Sequence, residues 1–476
     1  MKTYSITDFK TGGTAPSLYN TVGFGAVKHG DNQQKNIISQ LGTFQQATTT
    51  ASGATMGDLK LRAFEVYNNE LYAAGVVPFS TSGLLWHYSG GNWLGVGASH
   101  GAGAEGAFRY YQSNFYGYRQ SQYIWKTNDI GTVINDTYQT LSSPWTTTAP
   151  PVVHSGGKIL YFFTDGNVHQ LRDATFTENV IQFQSGFTIT NACEYGNYLI
   201  ICGYETKTGR ATAAFWDRDS SLARITNIVD LGFGIPKAVA TLDGTPTVVM
   251  ISLDASQLFI RQFDTNSFVT RNTYKSTPSN FFVGLSNWVQ DNRMFVPVYG
   301  KLRADDQDYQ ANILAVNSDG RIYHLASGSY NTNMDAVAFW NNQYHVTSAT
   351  NSTYLTSTNL YSQPLIYETL AIKPIASDRV KLHAATVQTT PLASGGTCVI
   401  KARKNGETTW QTIHTSTTTG EMTHSVTQAM ARSAGISIGD AKLLQLRAEL
   451  TGGGDITGLQ YVIDTDSNKE PYERGN

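Results

Sequence analysis

From about residue 61 to residue 364, short apolar runs alternate with polar turns, and one unit recurs: an apolar run, two polar turn residues, a second apolar run. The first copy reads Ala63-Phe64-Glu65-Val66-Tyr67, turns at Asn68 and Asn69, and returns through Leu71-Tyr72-Ala73-Ala74. This pattern predicts a β-hairpin, because Asn, Gly and Asp tolerate the positive φ angles of tight turns between antiparallel strands. Six later turns fall at Ser113-Asn114, Gly156-Gly157, Gly196-Asn197, Asp243-Gly244, Asp291-Asn292 and Asn341-Asn342, at steps of about 45, 43, 40, 47, 48 and 50 residues. Most hairpins are followed by a third strand-like run, such as Leu84-Leu85-Trp86-His87-Tyr88 or Ala213-Ala214-Phe215-Trp216, and several by a fourth. Three or four strands per period predict one propeller blade, and seven periods predict seven. Such a sheet has two faces to bury. Stacking blades around an axis buries both, and closing the ring removes the end faces. A solenoid of hairpins or a pair of sandwiches is the alternative arrangement.

The flanks follow other patterns. Residues 1–60 are rich in Thr, Gly, Gln and Ser, and only 21–27 read as a strand. They predict an extended segment that packs on the carboxy-terminal domain, the propeller rim or a neighbouring subunit. Inside the array, the small residues of 98–106 predict a pliant link, and 300–308 predict a charged insertion. Beyond the array, strand patterns occupy 365–372, 379–387, 397–402, 410–413, 442–450 and 459–463, with a hairpin turn at Asn405-Gly406 and a short helix over 425–434 that stops before Gly435. That spacing predicts a β-sandwich over 365–465, followed by a polar tail over 466–476. The fold class expected is all-β: an extended amino-terminal segment, a seven-bladed β-propeller over 61–364, then the sandwich.

Composition narrows the function classes. Charged residues make up 15% of the chain, and 34 basic against 36 acidic side chains leave a net charge of -2, which lacks the basic face that nucleic acid requires. No window approaches the 18 or more apolar residues of a membrane-spanning helix, and the first residues lack the apolar core of a secretory signal, so a soluble product made in a cytoplasm is expected. Cys193, Cys202 and Cys398 are too few for a disulfide framework. Cys193 and Cys202 fall on the two strands of one predicted hairpin, where a bridge is geometrically conceivable. Free thiols are expected instead, because the count is odd and no export signal is seen.

Little in the chain points to catalysis. The ten histidines stand singly, with no spacing that places two on one metal. Asp305-Asp306-Gln307-Asp308 lacks the alternation and the glycine of a calcium loop. The Gly-x-Ser-x-Gly spelling occurs at 97–101 and 435–439 and Gly-x-Gly-x-x-Gly at 101–106, but no helix pattern follows any of them, so none reads as a nucleophile elbow or a phosphate-cradling loop. A non-enzymatic protein without metal or cofactor is expected. Two stretches stand as candidate binding residues. Tyr110, Tyr111, Tyr116 and Tyr118 crowd the second unit with Phe115 and Tyr123, where rings stack on sugars or fill an interface. Arg303, Asp305, Asp306 and Asp308 carry the densest charge. The bland readings, an aromatic propeller core and a solvated loop, are favoured for both.

The layout resembles that of tailed-bacteriophage virion proteins. The resemblance is carried by the early blade text Gly83-Leu84-Leu85-Trp86-His87-Tyr88-Ser89-Gly90-Gly91-Asn92-Trp93, by the transition from Tyr367-Glu368-Thr369 through Lys381-Leu382 to Thr389-Thr390-Pro391-Leu392, and by the ending Leu444-Gln445-Leu446-Arg447-Ala448-Glu449-Leu450. It implies a structural component of the tail, baseplate or neck, present in the virion in several copies around the tail axis, with other tail or neck proteins as partners. It implies no catalytic residues. A module recognising a glycan or protein receptor on the host surface is the alternative, and a glycan-cleaving propeller the second. Neither nucleic-acid binding nor membrane insertion is expected.

Overall fold

The computed structural model describes most residues from 60 to 466, and before them the strands Lys2–Ile6, Gln33–Lys35, Gln45–Gln46 and Thr48–Thr49; the larger stretches left undescribed are 7–32, 36–44, 50–59, 77–82, 101–103, 129–133, 219–224, 276–280, 301–310, 329–333, 356–364, 370–378, 437–440, 453–455 and 467–476. The fold is all-β, built of antiparallel sheets in two compact units. One unit gathers residues 44–321 and 328–356; the other gathers 1–43, 322–327 and 357–476.

In the larger unit, up-and-down sheets follow one another along the chain. The first runs Lys60–Tyr67, Glu70–Val76, Gly83–Ser89, Asn92–His100, with strands adjacent in sequence order. Four-stranded sheets of the same topology occupy 104–140, 148–182, 187–233 and 235–275. Next, Phe282–Val283 and Trp288–Gln290 both pair with Arg293–Tyr299, which pairs with Ala311–Asn317. A last sheet holds Met334–Trp340, Gln343–Ser348 and Ser352–Leu355. The second strands are buried through their middle residues, and Ile159–Thr164 along its whole length, because neighbouring sheets cover both faces. The outermost strands, such as Thr175–Gln182, are mostly solvent-facing.

Successive sheets from 60–100 through 235–275 share cores in pairs. Tyr161 and Phe163 pack with Leu199, Ile201 and Trp216 of the following sheet. The same holds between the last sheet and the first: Phe64, Trp86 and Tyr88 pack with Ala336 and Ala338. Trp340 Nε1 also donates a hydrogen bond to the Asn69 carbonyl at 3.0 Å. The array therefore closes on itself and is propeller-like. Burying a side chain the size of Phe64 at this joint contributes about 2–3 kcal/mol.

Turn chemistry explains the hairpins. Asn68 and Asn69 lie at φ 52° and 58°, and Asp243 and Gly244 at 48° and 73°, the positive values that a two-residue turn needs. The second turn is displaced from the expected Ser113-Asn114. It uses Gln112 and Ser113 at φ 45° and 67°, because Asn114 already pairs with Tyr111 and its side-chain amide donates to the Gln112 carbonyl. The third turn runs through Ser155 to Lys158, with Lys158 at φ 49° and its N–H on the Ser155 carbonyl at 3.3 Å. Much of the expected link at 98–106 is strand, the end of Asn92–His100 and the start of Ala104–Tyr111, since small residues still supply backbone hydrogen bonds.

In the smaller unit one sheet has the order Lys2–Ile6, Ile456–Asp466, Arg379–Thr389, Thr423–Thr427. The other runs Ile322–Gly328, Gln33–Lys35, Leu365–Glu368, Leu444–Thr451, Thr397–Lys404, Gln411–Ser416. Val380, Leu382 and Tyr461 from the first share one core with Ile400, Leu446 and Leu450 from the second. The expected helix over 425–434 begins three residues late. Val426 and His424 point inward alternately in strand Thr423–Thr427, and the helix is Gln428–Ser433. The Thr427 hydroxyl caps it by accepting from the Met430 N–H. Its end is a Schellman turn: Gly435 at φ 74° donates to the Arg432 carbonyl and Ile436 to that of Ala431.

The early strand expected at 21–27 lies outside the described residues. Four short polar strands are found instead. Lys2–Ile6 pairs with Ile456–Asp466, Gln33–Lys35 with Leu365–Glu368 and Ile322–Gly328, Gln45–Gln46 with Ser352–Leu355, and Thr48–Thr49 with Asn92–His100.

Candidate functional site

Among the described residues, the first strand of each sheet in the larger unit has one edge without a strand partner, and in two of them the sequence shows it. Thr148–His154 contains Pro150 and Pro151, and Ile235–Leu242 contains Pro236, with register shifts at both places. Proline has no N–H to give to a ladder, so it belongs on such an edge. Between these first strands lies a cavity of about 410 Å³ lined by Arg109, Asn191, Glu194, Thr241 and Trp288 among others.

The polar groups of this cavity are largely committed to one another. Arg109 Nη1 meets Glu65 Oε2 at 2.6 Å and its Nε donates to the Pro151 carbonyl at 3.1 Å. The Asn191 amide donates to the Lys237 carbonyl at 3.0 Å, and its oxygen accepts from the Ala192 N–H. The Thr241 hydroxyl donates to the Glu194 carbonyl at 2.6 Å. The Glu194 carboxylate accepts from the Ser155 hydroxyl at 2.6 Å and from the N–H groups of Ser155 and Gly156, and lies 3.4 Å from His154 Nδ1. Burial pushes Glu194 up, but the Ser155 and Gly156 hydrogen bonds and the His154 ring outweigh it and hold the carboxyl below its usual range. Burial dominates at His154, whose imidazole is held below its usual value in spite of Glu194. Glycoside cleavage needs two carboxyl groups, one of them protonated at working pH. Among the described residues the lining supplies one carboxylate, and its neighbours favour the ionised form.

The tyrosines named from the sequence are placed mainly inside. Tyr111, Tyr116 and Tyr118 are buried in a core with Leu160, Phe162 and Trp145. Tyr110 is half-buried and stacks on Tyr67 with centroids 3.6 Å apart. The Tyr118 hydroxyl donates to the Ala149 carbonyl at 2.9 Å and accepts from the Phe163 N–H at 2.8 Å, joining the second sheet to the third. The Tyr111 hydroxyl reaches the Lys158 carbonyl at 2.5 Å. Stacking on a sugar needs a ring face open to solvent, and these three rings offer none. Arg303, Asp305, Asp306 and Asp308 lie outside the described residues. The three cysteines are free and buried, and burial pushes the Cys193 and Cys398 thiols up to about 12.

Two features went unseen in the sequence. In the smaller unit, Thr389 Oγ1 lies 3.0 Å from His424 Nε2, His424 Nδ1 lies 3.8 Å from Glu421 Oε2, and Ser416 donates to Glu421. The order hydroxyl, imidazole, carboxylate is that of a nucleophilic triad. Thr389 and His424 are fully buried, however, so no substrate reaches the hydroxyl, and His424 Nδ1 makes no hydrogen bond to the carboxylate. No short spacing announces it, since Thr389 and His424 are 35 residues apart. The second feature is a rim groove of about 520 Å³ lined by Phe183, Phe187, Ile228, Arg210 and Asp230 among others. Arg210 and Asp230 form an ion pair at 3.0 Å across it. Beside it the outermost strand Ile225–Phe233 leaves Ile228 and Phe233 59% and 68% exposed.

No family model matches the sequence, and no curated protein matches it. Among solved structures, the chain is similar to the WD40 β-propeller domain of Doa1 at 11% identity and TM-score 0.47, over 67% of this chain and 97% of that one. It is similar to a catalytically inactive form of virginiamycin B lyase from Staphylococcus aureus at 9% identity and TM-score 0.45, over 66% and 98%. The likeness to BamB from Moraxella catarrhalis has 12% identity and TM-score 0.39, over 68% and 94%.

Proposed function

We propose that this chain is a non-enzymatic structural component of a bacteriophage virion, most plainly of the tail, in which several copies assemble around the tail axis with other tail or neck proteins. On this reading the sheets of the larger unit are seven propeller blades, and the smaller unit is a β-sandwich to which Lys2–Ile6 and Gln33–Lys35 are added. The observation that carries the reading is the state of the central cavity: its cation, its carboxylate and its amide hold strands to one another. A closed array whose inward polar groups are spent on self-attachment is a stiff spacer. The net charge of -2 and the resemblance in the blade and carboxy-terminal text point the same way.

Receptor recognition is the weaker reading, because three of the four tyrosines proposed for it are core residues. Glycan cleavage is weaker still, given the single carboxylate of the described cavity lining. Sedimentation velocity of the purified chain, alone and with neighbouring tail proteins, is expected to give one discrete multi-copy species. A monomer at every concentration and in every mixture would overturn the proposal.

A further inference from the structure

We propose that Lys2–Ile6 is an exchangeable strand, which docks on the Ile456–Asp466 edge of a second copy of this chain by the same pairing as on its own. The inference rests on the multi-copy assembly proposed above and names the contact that stitches the copies. Three observations carry it.

First, Lys2–Ile6 is outermost in its sheet and is paired on one side, through five residues from Lys2 opposite Ile463 to Ile6 opposite Leu459. The next strand, Gln33–Lys35, is held on both sides, by Leu365–Glu368 and by Ile322–Gly328. That strand is a fixed point, and Lys2–Ile6 lies beyond it. Second, residues 7–32 join the two strands, and a connector of that length spans up to about 90 Å when extended. A unit of this size is about 40 Å across, so a neighbouring copy's edge lies within reach. Third, the acceptor strand needs cover. Its inward residues Leu459, Tyr461 and Ile463 are anchored in the core, which fixes in place the edge that Lys2–Ile6 covers, a row of backbone donors and acceptors that needs a strand.

The bonds made to the chain's own edge and to a neighbour's are the same, with Tyr4 opposite Tyr461 in either case. Connectivity and local concentration alone decide between them, and a ring of copies supplies the concentration. A second copy is the fitting occupant because it carries the strand whose register this edge already accepts.

Cysteine pairs report which copy supplies the strand. Thr3 is exposed and lies directly opposite Val462, which sits half-buried between the inward residues Tyr461 and Ile463 and so belongs to the outward side of the sheet. The native cysteines are buried and do not compete. Full-length chains carrying Thr3→Cys are mixed with chains carrying Val462→Cys, concentrated, mildly oxidised and digested. The expected result is a disulfide-linked Thr3→Cys to Val462→Cys peptide, several-fold more abundant at high than at low concentration. The T3C/V462C double variant is expected to link within one chain when dilute. If the double variant links internally at every concentration and the mixture never links, while sedimentation still shows a multi-copy species, the exchange is overturned and the assembly stands. If the chain is also a monomer, both fall. If the double variant never links, the register is wrong and the exchange falls with it.

Discussion

At the scale of single residues, the side chains that looked most like a binding surface turn out to be fasteners. The Tyr118 hydroxyl links two sheets by donating to Ala149 and accepting from Phe163. Tyr118→Phe leaves the ring in place and strands the Phe163 N–H, so a loss of about 1–3 kcal/mol in unfolding free energy is expected by denaturant titration. His169 has a parallel role. Its Nδ1 accepts from the Asn179 N–H at 3.2 Å, which puts the proton on Nε2, 2.7 Å from the Thr164 hydroxyl. Protonating the ring destroys the acceptor, and burial lowers its pKa to about 4. The folded value lies below the unfolded one near 6.5. The associated stability is therefore complete above pH 6.5 and is lost as the pH falls toward 4, amounting to about 2 kcal/mol by pH 5. Burial lowers His345 to about 3 and also lowers His154 and His424, which adds to the same slope. Thermal melts between pH 7 and pH 4 are expected to show a falling Tm, and His169→Gln to be less stable at pH 7 yet less sensitive to acid. Aromatic strand text announced that these rings exist. Burial, tautomer and partner depend on residues tens of positions away and were not readable.

Elements defined by side-chain chemistry were legible, and those defined by backbone alone were not. The Asn68-Asn69 turn stands out in the sequence because few residues accept φ 52° and 58°. Replacing both by Ala is expected to cost about 1–2 kcal/mol, and replacing them by Asn-Gly to cost nothing measurable, in equilibrium unfolding. The shift of the second turn to Gln112-Ser113 shows the limit of such reading: polar residues in succession mark a turn to within one position, and strand pairing decides the rest. The short helix was misplaced for the opposite reason. Helix-compatible composition ran into Thr423–Thr427, where inward His424 and Val426 set a period of two. The early strands left no trace, because Gln, Thr and Lys in runs of two to five residues carry no alternation and are held by main-chain bonds to strands far along the chain, from Asn92–His100 to Ile456–Asp466.

For the molecule as a whole, recurrence at 40 to 50 residues was the most informative signal, and it led to an array in which the first and last sheets share a core. What recurrence left out is that early residues help finish the array, Gln45–Gln46 on Ser352–Leu355 and Thr48–Thr49 on Asn92–His100. Two truncations isolate their contribution. Deleting residues 1–43 keeps both short strands, and deleting 1–59 removes them. The second deletion is expected to lower Tm by a further few degrees in calorimetry and to speed aggregation at the newly bared edges.

Pro150, Pro151 and Pro236 give the inner edges a property of their own. A stray extended polypeptide entering the cavity finds missing donors there, and the Pro151 oxygen is already taken by Arg109. Along Thr148–His154 and Ile235–Leu242 it finds no continuous register to zip onto. Those two edges are in that sense non-stick: a foreign strand gains little main-chain bonding by lying along them.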